Sequence, residues 1–268
     1  MNYSDSHVHT FYSSDSEERP EAQIERAIAL GMKQLTFTEH HDIDFPPGEF
    51  DFLLDPRAYT TRAEELRIQY RHILDLGIGI ELGLQPHLME ETNAFAALYP
   101  WDLIIGSTHV TRRIDPWEED KLIAGVTEEF AYRTYFEEEL ENLQKYDCYD
   151  IAGHLDYVVR YGPNRNRDYT WERYGDILDE MLKTVLSKGK GIEINTAGFK
   201  AGLGYAHPMP EVWKRYRELG GEILTIGSDA HSADYLGYEF ERAGEFLKFC
   251  GFRYYAVYRE RRPEFYPL

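Results

Sequence analysis

Short apolar runs of six or seven residues alternate with longer amphipathic stretches along the chain, and five of the six amphipathic stretches stop at a glycine. The strand-like runs are residues 3–9, 34–40, 78–84, 103–109, 150–155, 191–196 and 223–228. The helix-like stretches are residues 20–30, 56–76, 127–145, 170–187, 210–219 and 234–249, with Gly31, Gly77, Gly189, Gly220 and Gly251 as their stops. Pro20 suits a helix start, glycine the left-handed residue that follows a helix, and Thr127 and Thr170 are placed to cap helix N-termini. Strands separated by helices pair in parallel, so these seven strands with six helices between and after them predict an α/β barrel. A length of 268 residues is ordinary for one such barrel, with a single domain spanning residues 1–268. The tail over residues 252–258 adds one more strand or packs across the barrel's end.

The formal charge of −19 repels phosphate backbones and argues against a nucleic-acid-binding module. A small anionic substrate stays compatible with that charge if metal ions sit in the site, because their local field outweighs the global one. The start MNYSDSHVHT has neither a basic segment nor an apolar one, and no window reaches ~18 apolar residues, so neither a leader nor a membrane span is expected. Cys148 and Cys250 are isolated, outside any metal-type spacing, as in reduced cytoplasmic proteins.

Active sites of barrels lie at the C-terminal ends of the strands. His7 and His9 end the first strand, two apart and therefore on one face, and Asp5 shares that face. His40 ends the second strand, Glu81 lies in the third, His109 ends the fourth, His154 the fifth, and Asp229 and His231 follow the seventh. Six of the ten histidines take such places, whereas His72, His87 and His207 do not. Imidazole nitrogen with carboxylate oxygen suits zinc, iron or manganese. The nine ligand-type side chains exceed what one tetrahedral ion takes, so two or three divalent ions sharing a carboxylate are expected. Adjacent ions of this kind serve phosphoester hydrolysis.

Asp5-Ser6-His7-Val8-His9-Thr10 with Ser13 and Asp15, Thr38-Glu39-His40, Glu81, Ser107-Thr108-His109, Gly153-His154 and Ser228-Asp229-Ala230-His231 together resemble the PHP (polymerase and histidinol phosphatase) superfamily. The match runs from Tyr3 to about His231, and the run from Asp156 to Gly162 is similar to the stand-alone histidinol-phosphate phosphatase branch. The resemblance implies a distorted (β/α)7 barrel with a trinuclear metal centre. Carried over, His7, His9, Glu81 and Asp229 hold the first ion, Glu81, His109 and His154 the second, and Asp15, His40 and His231 the third. Some members carry His where Asp15 stands, and an anionic oxygen there favours iron or manganese over zinc.

The resemblance implies that the substrate is a small phosphomonoester, L-histidinol phosphate, and the expected chemistry is in-line attack by a metal-bound hydroxide. Arg160, in the loop after His154, is the expected phosphate clamp, with Lys200 and Arg113 as further candidates. Asn195 and Glu193 end the sixth strand and stand behind a ligand or against substrate, as does His41. Proton delivery to the leaving group falls to a metal-bound water, to Asp229 or to a nearby His such as His231. Glu39, Asp42, Asp44 and Asp156 offer carboxylates to the substrate ammonium. The alternatives are another small ester, such as a nucleotide or sugar phosphate, and a non-catalytic metal-binding protein.

Overall fold

The structure, a computed structural model, describes residues 3–48 and 50–268. Seven parallel strands follow one another around a barrel: β1 (Asp5–Val8), β2 (Gln34–His41), β3 (Asp75–Gly83), β4 (Leu103–Ser107), β5 (Ile151–Ala152), β6 (Gly191–Asn195) and β7 (Leu224–Gly227), in that spatial order. Helices α1 (Pro20–Ala29), α2 (Pro56–Tyr70), α3 (Met89–Ala96), α4 (Glu119–Leu122), α5 (Glu128–Lys145), α6 (Trp171–Ser187), α7 (Ala197–Lys200), α8 (Pro210–Glu218) and α9 (Phe240–Phe249) lie between and after them. Every residue of β1, β2, β4, β5, β6 and β7 is buried, as a parallel sheet covered by helices requires. Among the described residues no helix is long and apolar enough to cross a membrane.

The strands β1 and β7 close the ring through a short seam. Val8 bridges Ala230, the Asp229 N–H donates to the His7 carbonyl at 2.9 Å, and the His9 N–H donates to the Ala230 carbonyl at 3.0 Å. The Asp5 carboxylate stitches the seam, accepting from the Ser228 N–H and hydroxyl at 3.0 and 2.5 Å and from the Gly237 N–H at 3.0 Å. Asp5 therefore does not share the face of His7 and His9, because the register shifts between Asp5 and Val8 and turns its side chain toward β7. Burial pushes its carboxyl up to about 6, against the pull of those donors.

The tail settles the strand count at seven. It forms an antiparallel hairpin, β8 (Tyr254–Arg259) and β9 (Arg262–Pro267), outside the barrel sheet. Ala256 and Tyr258 pack against Leu103, Ile105 and Ile151, while the Arg261 N–H donates to the Asp102 carbonyl at 3.0 Å and its guanidinium meets Asp150. Asp102 precedes β4 and Asp150 precedes β5, so the hairpin covers the N-terminal end of the barrel and leaves the other end for the site. Helix α3 falls in a stretch whose pattern does not announce it. Thr127 caps α5 through its hydroxyl, whereas Thr170 makes no such bond at α6 and faces Glu172 instead.

Gly227 ends β7 packed closely between β1 and β6. A Cβ there would lie 2.5 Å from the His7 Cβ and 2.1 Å from Glu193 Oε1, both in the barrel interior. Gly227→Ala is expected to lower unfolding free energy by about 1–3 kcal/mol, the usual cost of overpacking a core. Denaturant titration checks it; an unchanged midpoint would contradict this view of the seam.

Candidate active site

Strand parity brings the expected side chains together at the C-terminal end of the barrel. His7 and His9 point inward from β1 and its end, His40 from β2, Glu81 from β3, and His109, His154, Asp229 and His231 from the turns that follow β4, β5 and β7. Glu81 is fully buried among them. Its Oε2 lies 3.1 Å from His7 Nε2, 3.5 Å from His9 Nε2 and 3.0 Å from His40 Nδ1, and its Oε1 lies 3.2 Å from His109 Nε2 and 3.1 Å from His154 Nε2. Burial raises the Glu81 carboxyl, but His7, His109 and His40 outweigh it and hold the group well below the usual range.

Four groups of donor atoms, each within 4.8 Å of one another, follow: His7, His9 and Asp229; Glu81, His109 and His154; His9, His40 and His231; and His40, Asp42 and His109. The second is the set expected for the second ion. Glu81 stands beside the first. His9 stands beside the third, where Asp15 Oδ2 lies 3.0 Å from His231 Nε2 and 3.7 Å from His40 Nε2.

The far side of most rings is already engaged. His7 Nδ1 meets Glu193 at 2.7 Å, His9 Nδ1 meets the Ser13 hydroxyl at 3.1 Å, His109 Nδ1 meets Asp42 at 2.7 Å, and His231 Nδ1 meets the Asp229 carbonyl at 3.0 Å. Ser13 in turn donates to Glu39 at 2.6 Å. Such partners hold the Nδ1 proton and turn the Nε2 lone pair inward. The inward atoms His7 Nε2, His9 Nε2, His40 Nδ1, His231 Nε2 and Glu81 Oε2 are buried without a hydrogen-bond partner. Each such atom costs ~1–3 kcal/mol, and a shared cation is the species that would satisfy all of them. The donor set fits divalent transition metals.

Burial disfavours charged imidazoles here, yet carboxylates outweigh it at four of them. His40 is raised to about 9 by Glu81 and Asp15, His7 is raised by Glu193 and Glu81, His109 by Asp42 and Glu81, and His231 by Asp15 and Asp229. At His9 and His154 burial prevails and the pKa falls.

Arg160 lines the same cavity, which has a volume of about 1090 Å³. Its Nη2 donates to Asp229 Oδ2 at 3.1 Å and to Asn195 Oδ1 at 3.4 Å. Asn195 is buried and also donates to Glu193 at 3.1 Å, so it holds the site's side chains in place behind the cavity. His41 is not brought to the cavity. Next to His40 on β2 it points the opposite way, stacks on Phe95 at 3.5 Å and accepts from the Leu54 N–H, and burial lowers it to about 4. Lys200 stands over the Tyr235 ring at 3.8 Å, and Arg113 pairs with Asp44 at 2.6 Å on the surface.

The acids expected near the substrate ammonium are committed elsewhere. Glu39 accepts from Thr10 and Ser13, Asp42 orients His109, and Asp156 is bonded to His207. The acids that line the cavity away from the imidazoles are instead Asp115, Glu118, Glu119 and Asp120, beside Trp117. Their sequence, Asp115-Pro116-Trp117-Glu118-Glu119-Asp120, is an acidic run broken by one Trp, and only its position after β4 tells it from ordinary surface.

The PHP domain model matches residues 5–197. The histidinol-phosphatase of Lactococcus lactis is 32% identical over 95% of this chain and 93% of its own length. A probable histidinol-phosphatase of Clostridium acetobutylicum is 31% identical over 96% of this chain and 97% of its own. The crystal structure of the Lactococcus lactis histidinol phosphate phosphatase, complexed with zinc, L-histidinol and phosphate, superposes with a TM-score of 0.91 at 30% identity, covering 98% of this chain and 100% of that one. With the barrel, the donor cluster and these likenesses together, the chain belongs to the PHP domain family.

Proposed function

We propose that this chain is a metal-dependent phosphomonoesterase that hydrolyses L-histidinol phosphate to L-histidinol and phosphate. The observation that carries the reading is one cavity floor on which unpartnered imidazole and carboxylate atoms stand beside Arg160. The choice of substrate is supported by the relative crystallised with L-histidinol and phosphate. Its place in a reducing cytoplasm is supported by the two free cysteines, Cys148 and Cys250.

His7, His9, Glu81 and Asp229 would hold one ion, Glu81, His109 and His154 a second, and Asp15, His40 and His231 a third. Zinc occupies the relative, and the same nitrogen and oxygen donors also suit iron or manganese. Such ions supply Lewis acidity, activating water and neutralising charge on the phosphoryl oxygens. Arg160 binds two phosphoryl oxygens with its planar fork. Its own charge is secure: burial opposes it, but Asp229 outweighs burial and raises its pKa. Asp229 stands beside the Arg160 guanidinium that meets the phosphoryl group, and we assign proton transfer to it rather than to His231. Asp229 takes a proton from the attacking water and returns it to the departing alcohol oxygen as the P–O bond breaks. The ammonium and imidazole of the substrate extend toward Asp115, Glu118, Glu119 and Asp120, where charge-assisted hydrogen bonds reward a cation.

Glu81→Ala is expected to lose more bound metal than His72→Ala, since His72 is exposed just beyond α2. Elemental analysis of the two purified variants checks this; equal metal content contradicts the ligand assignment.

In the metal-free protein the neighbouring carboxylates raise His7, His40 and His109 and so favour their charged forms, and an imidazole must release its extra proton to bind an ion. Metal loading should therefore release protons, and apparent affinity should rise as pH climbs toward about 9. Calorimetric titration in two buffers of different ionisation enthalpy measures the release; a heat independent of buffer contradicts it.

For substrate choice, L-histidinol phosphate should exceed a sugar phosphate and a nucleoside monophosphate by at least ~10²-fold in kcat/KM, the scale of one well-satisfied charged contact. Equal or better turnover of either competitor would move the chain to another small ester while leaving its phosphatase chemistry intact.

A further inference from the structure

His207 stands outside every donor group and carries no signal in the sequence pattern, yet it is fully buried against Arg160. The Arg160 Nε–H donates to His207 Nε2 at 2.8 Å. A guanidinium offers only donors, so His207 Nε2 must present its lone pair and the ring proton must sit on Nδ1. That proton points at Asp156 Oδ1, with which it forms a hydrogen bond. Asp156 is also fully buried, and its other oxygen accepts the Met209 N–H at 2.9 Å.

The backbone of His207 is fixed as well. It pairs antiparallel with Asn195, His207 N–H to the Asn195 carbonyl at 2.8 Å and Asn195 N–H to the His207 carbonyl at 3.0 Å. Asn195 is one of the two residues that receive Arg160 Nη2. Arg160 is thus gripped along one edge of its plane, at Nε by His207 and at Nη2 by Asp229 and Asn195. A planar group held at two points along one edge keeps little freedom to rotate.

We infer that Asp156 and His207 form a positioning pair for Arg160: Asp156 fixes the His207 tautomer, and His207 fixes the plane in which Arg160 meets the phosphoryl group. The inference rests on the reading that Arg160 binds phosphate. Its role differs from that of a packing contact because the chain of donors runs in one direction only. Burial keeps His207 in the neutral form this direction requires, although Asp156 pulls the other way.

Asp156→Asn tests the direction with almost no change in shape. The Met209 N–H claims the amide oxygen, so the amide NH2 faces His207 Nδ1 and drives the ring proton to Nε2. There it opposes the Arg160 Nε–H. The variant should keep its metal content, lose about 10- to 100-fold in kcat/KM and bind inorganic phosphate correspondingly less tightly, the scale of one charge-assisted hydrogen bond. Nitrogen-15 NMR of the histidine rings should show the exchange of tautomer. His207→Gln, whose amide oxygen can still accept from Arg160, should retain more activity than His207→Phe.

A double-mutant cycle separates positioning from bulk stability. Arg160→Ala alone should lose about 30- to 1000-fold in kcat/KM, and Asp156→Asn added to it should cost no more than about threefold further. Losses that multiply in the double variant, or a wild-type kcat/KM in Asp156→Asn beside an impaired Arg160→Ala, overturn the positioning pair and leave the phosphate clamp standing. A wild-type kcat/KM in Arg160→Ala overturns the clamp, and the pair with it.

Discussion

Glu81 brings five imidazoles within 3.5 Å of one fully buried carboxylate. Without a cation that arrangement is costly, since a buried charge must be paired and each unpartnered nitrogen loses its water. The barrel makes it possible because Glu81 sits on β3 between two neighbours in register, His40 opposite it on β2 and Ile105 opposite it on β4. Backbone hydrogen bonds on both sides fix its position before any side chain is considered. The imidazoles are fixed from behind by Glu193, Ser13 and Asp42. The rigidity that a metal centre needs therefore comes from the fold.

Much of this was legible in the sequence. Period-two spacing put His7 and His9 on one face, and the strand-end rule gathered His40, His109, His154, Asp229 and His231 around Glu81. The same parity could have excluded His41, which neighbours His40 on a strand and so must face away. Asp5 misled because a register shift, invisible in the sequence, breaks the alternation after it. Glu193 and Asn195 stand out by their place at the end of β6, but their partners, His7 and Arg160, lie on distant segments that no spacing connects to them.

What stayed hidden was the pairing of side chains away from the strand-end histidines. His207 precedes α8 by a few residues, with no periodicity to read, and its contact with Arg160 spans 47 positions. Asp42 and Asp156, in loops, and Glu39, on β2, read as acids offered to a substrate cation, yet each is buried and bonded to protein groups instead. Charge counting cannot distinguish an acid that faces a substrate from one that orients a histidine. That distinction comes from the loop path. Helix α3 leaves no apolar pattern to read, because it is short and only two of its residues are buried.

The seam between β1 and β7 also bears on how the chain is made. Val8 pairs with Ala230, and Ser4 donates its N–H to the Tyr255 hydroxyl at 3.1 Å, across 251 positions. The strand carrying His7 leaves the ribosome more than 200 residues before its partner on that side, β7. Contacts so distant along the chain form late and slow the search for the native state. Through most of synthesis a growing polypeptide holds this strand with one edge unpaired, in a form open to misassembly. The pocket is consequently complete only once β7 has been made, and a chain that stops before β7 lacks the wall that carries Asp229 and His231.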